Sequence, residues 1–208
     1  MENEKDIDLI VWDLETTGSV APECKILEIG CFIVRGDLIE EKHWVLKNDV
    51  FIPAKITELT GITQEIIDAE GRDPKECLME FMPLFKRCKK NVTHNGLRFD
   101  IVFLTDFASH VLGFTPEQKA EVKKLIRSTA FDTAVHFKAS KVGMKQLENE
   151  PHHIFGDRVM SVRAFVKYNL GLCCDESGID RSKVTQHRAM ADVFLTHEIY
   201  KIINKENV

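Results

Sequence analysis

What this chain does not contain narrows its class before any motif is read. None of its six cysteines (Cys24, Cys31, Cys77, Cys88, Cys173 and Cys174) forms a C-x-x-C pair. A disulfide frame and a zinc site are both disfavoured, and the expectation is reduced, buried thiols in a cytoplasmic protein. No apolar run is long enough to cross a bilayer, so no membrane partner is expected. The first residues, Met1 to Asp6, are charged and mostly acidic, unlike the basic-then-apolar start of a secretion signal. No internal repeat, low-complexity tract or linker interrupts the 208 residues, a length that suits one domain, 1–208. Nor is there an excess of positive charge: the formal net charge is −5. Proteins that hold long nucleic acid by bulk charge are usually basic. If this chain binds nucleic acid, it grips a short stretch or neutralises phosphates locally with metal ions.

What is present begins with strands. Ile7 to Leu14, Cys24 to Arg35 and Leu38 to Leu46 read as three, with Gly36-Asp37 as a tight hairpin between the last two. The segment 52–68 reads as loop and short helix. After Asp73-Pro74, a cap followed by a first-turn proline, the pattern turns helical. Cys77, Leu78, Phe81, Phe85 and Cys88 share one face, and Pro83 should split the helix near Met82. A short strand at 90–93, helices at 99–111 and 116–126 and a brief strand at 129–131 follow. The region 136–158 reads as loop and short helix, then helices at 159–168 and 188–204. The class is α/β, a mixed sheet covered by helices.

Three clusters carry chemistry. In Asp13-Leu-Glu-Thr-Thr-Gly18, strand alternation places Asp13 and Glu15 on the face of Leu9 and Val11, opposite Ile10, Trp12 and Leu14. Either the strand has ended and both acids are solvated, or two like charges continue an apolar face and call for a cation. In His94-Asn-Gly-Leu-Arg-Phe-Asp100, Asp100 opens a helix, where a carboxylate also serves as a simple cap. In His187-Arg-Ala-Met-Ala-Asp192, Asp192 stands on the stripe of Leu195, Ile199 and Ile202, so a buried partner is expected for it. His187 lies at or just before the helix start, placed to accept a proton near neutral pH. Hard oxygen donors of this kind suit magnesium or manganese rather than zinc.

Asp-x-Glu-Thr-Thr-Gly, His-Asn-x-x-Phe-Asp and His-x-Ala-x-x-Asp, in that order, resemble the DEDDh 3′-5′ exonucleases, the family of the proofreading epsilon subunit of bacterial replicative polymerase. The likeness spans roughly residues 7 to 204, with Leu59-Thr-Gly-Ile-Thr63 and Phe131-Asp-Thr133 as further landmarks. It implies an RNase H-like fold with a five-stranded mixed sheet flanked by helices. It implies Asp13, Glu15, Asp100 and Asp192 as ligands of two Mg2+ (or Mn2+) ions and His187 as general base. Leu14, Thr16 and Thr17 match the strip that receives the terminal nucleotide, and Asn95 and Phe99 shape the same pocket. The implied reaction is two-metal hydrolysis at the 3′ end of DNA or RNA, expected single-stranded, releasing nucleoside 5′-monophosphates.

Alternatives stay open. A polymerase or another replication or repair protein is the candidate protein partner. The chain ends a few residues past its last helix, without a long docking tail, which weighs toward a free-standing enzyme. RNA trimming and small-nucleotide phosphodiesterase activity share the chemistry. Thr60 stands where some relatives carry a histidine, and 136–158 is longer than in compact relatives, a candidate docking or strand-guiding insert. Its His152-His153 pair reads as solvated loop. The basic run Lys86, Arg87, Lys89 and Lys90 and the helical face Lys119, Lys123, Lys124 and Arg127 read as solvated surface, with tracking of a few phosphates as the second option.

Overall fold

Ile7–Thr16 forms β1, and a meander adds β2 (Ile26–Arg35) and β3 (Leu38–Val45), each antiparallel to the strand before it. The computed structural model describes residues 5–182, 184 and 188–206. The β2–β3 turn works because Gly36 takes φ +56°, a conformation that a Cβ disfavours. Next come α1 (Ala54–Thr60), α2 (Gln64–Glu70), α3 (Pro74–Phe81) and α4 (Leu84–Arg87), before the chain re-enters the sheet as β4 (Cys88–Thr93), parallel to β1. Helices α5 (Asp100–Leu112) and α6 (Pro116–Ser128) lead to β5 (Ala130–Asp132), parallel to β4. Then follow α7 (Thr133–Lys141), α8 (His152–Ser161), α9 (Leu170–Glu176) and α10 (Ala189–Glu206). The strand order is β3-β2-β1-β4-β5, the expected five-stranded mixed sheet.

Local chemistry sets most of the helix limits. Asp73 accepts from the N–H groups of Lys75 and Glu76, and Pro74 opens α3. Pro83, which has no N–H to donate, separates α3 from α4 as anticipated. Thr115 and Gln118 form a reciprocal capping box on α6.

Each face of the sheet is covered. On one, Ile10, Trp12 and Leu14 join Phe81, Phe85, Ile101 and Leu104. Trp12 sits edge-on to Phe81 and Phe85 with centroids 5.7 and 5.4 Å away, and its indole N–H donates to Asn91. On the other, Leu9 and Val11 meet Phe32, Val92 and Val193 of α10. Edge strand β3 is charged and largely exposed, which discourages pairing with another chain.

Two sequence expectations need correction. The region 159–168 is helical only as far as Ser161, where α8 ends, and 163–169 has no regular structure. The buried Lys138 ammonium explains the stop, donating to the carbonyls of Met160 (3.2 Å) and Val162 (3.0 Å) that a continuing helix would have used itself. The His152-His153 pair is not solvated loop either. It opens α8, and the His152 ring stacks on Phe131 at 4.3 Å while its Nε2 accepts the Asp132 N–H at 3.0 Å. Burial, the main cause, holds the His152 imidazolium pKa at about 4. Helix α9 was not anticipated.

Candidate active site

The three parallel strands β1, β4 and β5 end on the same edge of the sheet, the edge where ligands gather in α/β folds. Asp13 and Glu15 lie in the last turn of pleat of β1, paired across the sheet with Gly30 and Glu28. Their side chains fall on the α10 face, as alternation requires. Asp192, in the first turn of α10, meets them there. One carboxylate oxygen each from Asp13, Glu15 and Asp192 lies within 4.8 Å of the others. Asp100, the first residue of α5, is 3% exposed and close enough to add its charge to both β1 acids.

Gly30 makes this approach feasible. A Cβ there would stand 2.6 Å from the Ala189 carbonyl carbon, so the start of α10 can lie flat on β2 only because that atom is missing. Glu28, buried beside it, fixes the helix. It accepts from Arg188 Nη2 at 2.6 Å and Nε at 3.1 Å, and from the Ala189 N–H at 2.9 Å. His43 Nε2 lies 2.7 Å from the same carboxylate. The Arg188 carbonyl in turn accepts the Asp192 N–H at 3.0 Å. Burial alone would raise the Glu28 pKa, but these hydrogen bonds prevail and hold it at about 2.

The metal-type acids show the opposite balance. Burial first, then the charges of Asp100, Asp192, Glu15 and Glu28, drives the Asp13 carboxyl well above the usual carboxylate range. Burial and then Asp192, Glu28 and Asp100 push Glu15 up, against a smaller pull from Arg188. Asp100 is raised mainly by burial, with backbone N–H groups of Asp100 and Leu14 opposing. Such a set is relieved by protons or by cations.

The loop from His94 to Phe99 is organised by Asp132, at the end of β5. Its carboxylate accepts from the N–H groups of Asn95 (2.7 Å), Leu97 (3.0 Å) and Ala134 (3.0 Å). This holds Asn95 at φ +66°, a conformation that asparagine tolerates better than most residues. His94 Nε2 lies 2.8 Å from the Tyr168 carbonyl and Nδ1 2.8 Å from the Thr133 hydroxyl. A neutral ring donating through Nε2 and accepting at Nδ1 satisfies both, and burial keeps it neutral with a pKa of about 4.

Of the other expected residues, Leu14 is 4% exposed and packed in the core on the face opposite the acids, so little of its side chain is available to a ligand. The Thr16 hydroxyl donates to the Gly18 carbonyl at 2.6 Å, and Thr17 Oγ1 accepts the Lys25 N–H at 2.9 Å. Phe99 is half-buried and packs on Phe103 with centroids 4.6 Å apart. Thr60 donates to the Ile56 carbonyl and accepts the Ile62 N–H, serving its own turn. His187 lies outside the described residues. Glu28 was missed from the sequence, although a lone acid within the apolar run Ile26 to Val34 is the same kind of signal that marked Asp13.

A cleft of about 390 Å³ opens beside Asp192 and runs along Asn169, Leu170 and Arg181. A second, of about 460 Å³, is lined by His94, Asn95 and Lys167 and shares Asn169 and Leu170 with the first.

Residues 10–200 match the family described as RNase_T, Exonuclease. Among curated proteins, the chain is 30% identical over 171 residues to DNA polymerase III PolC-type of Thermotoga maritima, covering 78% of this chain and 12% of that protein. It is 30% identical over 146 residues to the 3′-5′ exonuclease DinG of Staphylococcus epidermidis, covering 69% of this chain and 15% of that one. The chain thus spans well under a fifth of the length of these relatives. Among solved structures, E. coli Exonuclease I in complex with a dA16 oligonucleotide superposes with a TM-score of 0.72 at 17% identity, covering 95% of this chain and 40% of that one. That likeness establishes the RNase H-like fold.

Proposed function

Because the chain belongs to the RNase_T exonuclease family, we propose that it hydrolyses phosphodiester bonds one at a time from the 3′ end of a single-stranded nucleic acid, releasing nucleoside 5′-monophosphates. The observation that carries this is the convergence of Asp13, Glu15 and Asp192 within 4.8 Å, with Asp100 buried alongside. These residues fit two Mg2+ or Mn2+ ions: all donors are hard oxygens, and their mutual repulsion awaits positive charge. Bound ions of this kind activate water and stabilise a departing oxygen.

The chain's own residues do the rest. Asp13 and Glu15 present their carboxylates from a rigid strand, and the Glu28–Arg188 pair sets the start of α10 so that Asp192 faces them. His187, adjacent in sequence to Arg188, is the proposed general base, taking the proton of the attacking water. The terminal nucleotide sits on the strip at the end of β1, through the main chain at Leu14 and beside Thr16 and Thr17, with Asn95 and Phe99 closing the pocket. Residues 1–208 act as one exonuclease domain. Six cysteines without a disulfide support a cytoplasmic setting, and no described helix is long and apolar enough to cross a membrane.

The test is digestion of 3′-labelled and 5′-labelled DNA and RNA, single-stranded and duplex, with magnesium and with chelator. Stepwise metal-dependent loss of the 3′ label supports the proposal. Activity confined to dinucleotides or small esters refutes it in favour of a small-nucleotide phosphodiesterase. A second reading, in which the chain trims ends in company with a polymerase or another replication or repair protein, is favoured by the likeness to PolC-type polymerases.

A further inference from the structure

The two basic groups singled out in the sequence are each partly committed to ion pairs, with Lys86, Lys123 and Lys124 left without a described carboxylate, and neither carries an exposed aromatic ring beside the carboxylate cleft. Arg87 and Lys89 pair with Asp6 and Asp8, Lys119 with Asp106, and Arg127 with Asp157, while Lys90 lies 5.5 Å from the ring centroids of Phe131 and Tyr200. The segment 162–169, between α8 and α9, is different. Val162, Val166 and Tyr168 are half-buried, whereas Arg163, Ala164, Phe165 and Lys167 are exposed, in a stretch without regular structure. Phe165 is 112% exposed, more than any other large apolar side chain among the described residues. No described carboxylate pairs with Arg163 or Lys167.

This exposure does not come from a loosely attached loop. Lys138 Nζ donates to the Val162 carbonyl at 3.0 Å, Lys141 Nζ to the Lys167 carbonyl at 2.7 Å, and His94 Nε2 lies 2.8 Å from the Tyr168 carbonyl. The backbone is held from both ends while an aromatic ring flanked by cations is left in water. Lys167 also lines the cleft of His94 and Asn95, which continues through Asn169 and Leu170 to Asp192. A sequence-tolerant single-strand site combines these elements: an aromatic face for a base, and positive charge tracking the backbone.

We propose that Arg163, Phe165 and Lys167 form a guide for the single strand leading into the carboxylate site, Phe165 stacking on a base while Arg163 and Lys167 hold the phosphates on either side. The guide explains how an acidic protein holds its substrate: three side chains beside the site replace a basic surface. It rests on the exonuclease reading for the direction in which the strand enters, but binding is measured without catalysis.

The experiment titrates the full chain, in chelator at low ionic strength, into fluorescein-labelled dT12 and rU12, following anisotropy. Phe165→Ala should weaken binding on the order of 10-fold, with Phe165→Tyr close to the parent. The double variant Arg163→Ala/Lys167→Ala should reduce the slope of log affinity against log salt by about 1.4, two phosphates at the single-strand value. Unequal losses on dT12 and rU12 would identify which strand the guide prefers. Unchanged affinity and slope in the variants, or no measurable binding by the parent, overturns the guide, and unchanged nucleic-acid binding would point to a protein partner at Phe165 instead. Magnesium-dependent cleavage of a nitrophenyl ester of thymidine 5′-monophosphate, which carries a single base and no strand, is assayed in parallel. Its absence in the parent counts against the catalytic site and leaves the binding result to decide the guide.

Discussion

Two neighbouring acidic regions on the same sheet have opposite electrostatics. Glu28 and Glu15 are direct cross-strand partners, yet hydrogen bonds hold the Glu28 pKa at about 2 while burial and like charge drive Glu15 upward. Around Glu28 the fold has supplied a guanidinium, an imidazole and a backbone amide. Around Asp13, Glu15 and Asp100 the nearest charges are other carboxylates. A buried acid whose partners are complete is holding the structure together; acids gathered against their own repulsion are relieved by protons or by cations.

That contrast can be broken most forcefully at Asp13. With magnesium, Asp13→Asn should lower exonuclease turnover on the order of 10³-fold or more. Without metal the same variant should be more stable than the parent by about 1–2 kcal/mol, since the amide is spared the cost of burying or protonating a carboxyl among like charges; a urea midpoint below the parent's would refute the strain. Magnesium at a hundredfold excess over its Kd should stabilise the parent by about 2.7 kcal/mol and the variant much less, measured by thermal melts.

Glu28 should answer in the other direction. Glu28→Gln leaves Arg188 without its carboxylate and should cost about 2–3 kcal/mol, less than the roughly 3–5 kcal/mol of a fully buried broken pair because Arg188 is partly solvated. It should not recover on adding magnesium. Gly30→Ala sharpens the geometric side: its Cβ meets the Ala189 backbone at 2.6 Å, so α10 must shift. A cost of about 1–3 kcal/mol is expected, with a loss of turnover as Asp192 is displaced; an unchanged rate would show that the close approach is not needed.

The smallest expected effect is in the pH dependence. His94 and His152 are held near pKa 4, below the ordinary value of 6.5. The unfolded chain therefore binds more protons below pH 6.5, and stability should fall as pH drops from about 6.5 toward 4. The raised carboxyls act oppositely, since the folded chain then takes up protons that relieve their repulsion. In chelator the two partly cancel. An Asp13→Asn/Glu15→Gln variant should show the steeper acid loss, checked by urea midpoints across that range.

The sheet and most of the site were legible because both follow short-range rules. Alternation along Ile7 to Glu15 placed two acids on the face opposite Trp12 and Leu14, and the stripe of Leu195 and Ile199 turned Asp192 inward. Asp73, Pro74 and Pro83 marked helix limits through their own chemistry. What stayed hidden depends on distant partners. Glu28 is tied to Arg188 across 160 positions. Asp132 was visible as a landmark, but its three backbone partners were not. The stretch 159–168 imitates a helix because its apolar spacing fits one, whereas the ammonium of Lys138, on another element, takes up the carbonyls of Met160 and Val162 where α8 ends. Leu14 belonged to the anticipated nucleotide strip by its position, yet the pleat buries its side chain.

Asp13 and Glu15 are synthesised before Asp192, which is separated from them by more than half the fold's secondary structure. Until α10 settles over Gly30 and is latched by Glu28, the growing polypeptide holds scattered acids and no cation cradle. Completion of the tertiary structure is thus a safety catch, gathering the acids only after α10 has docked.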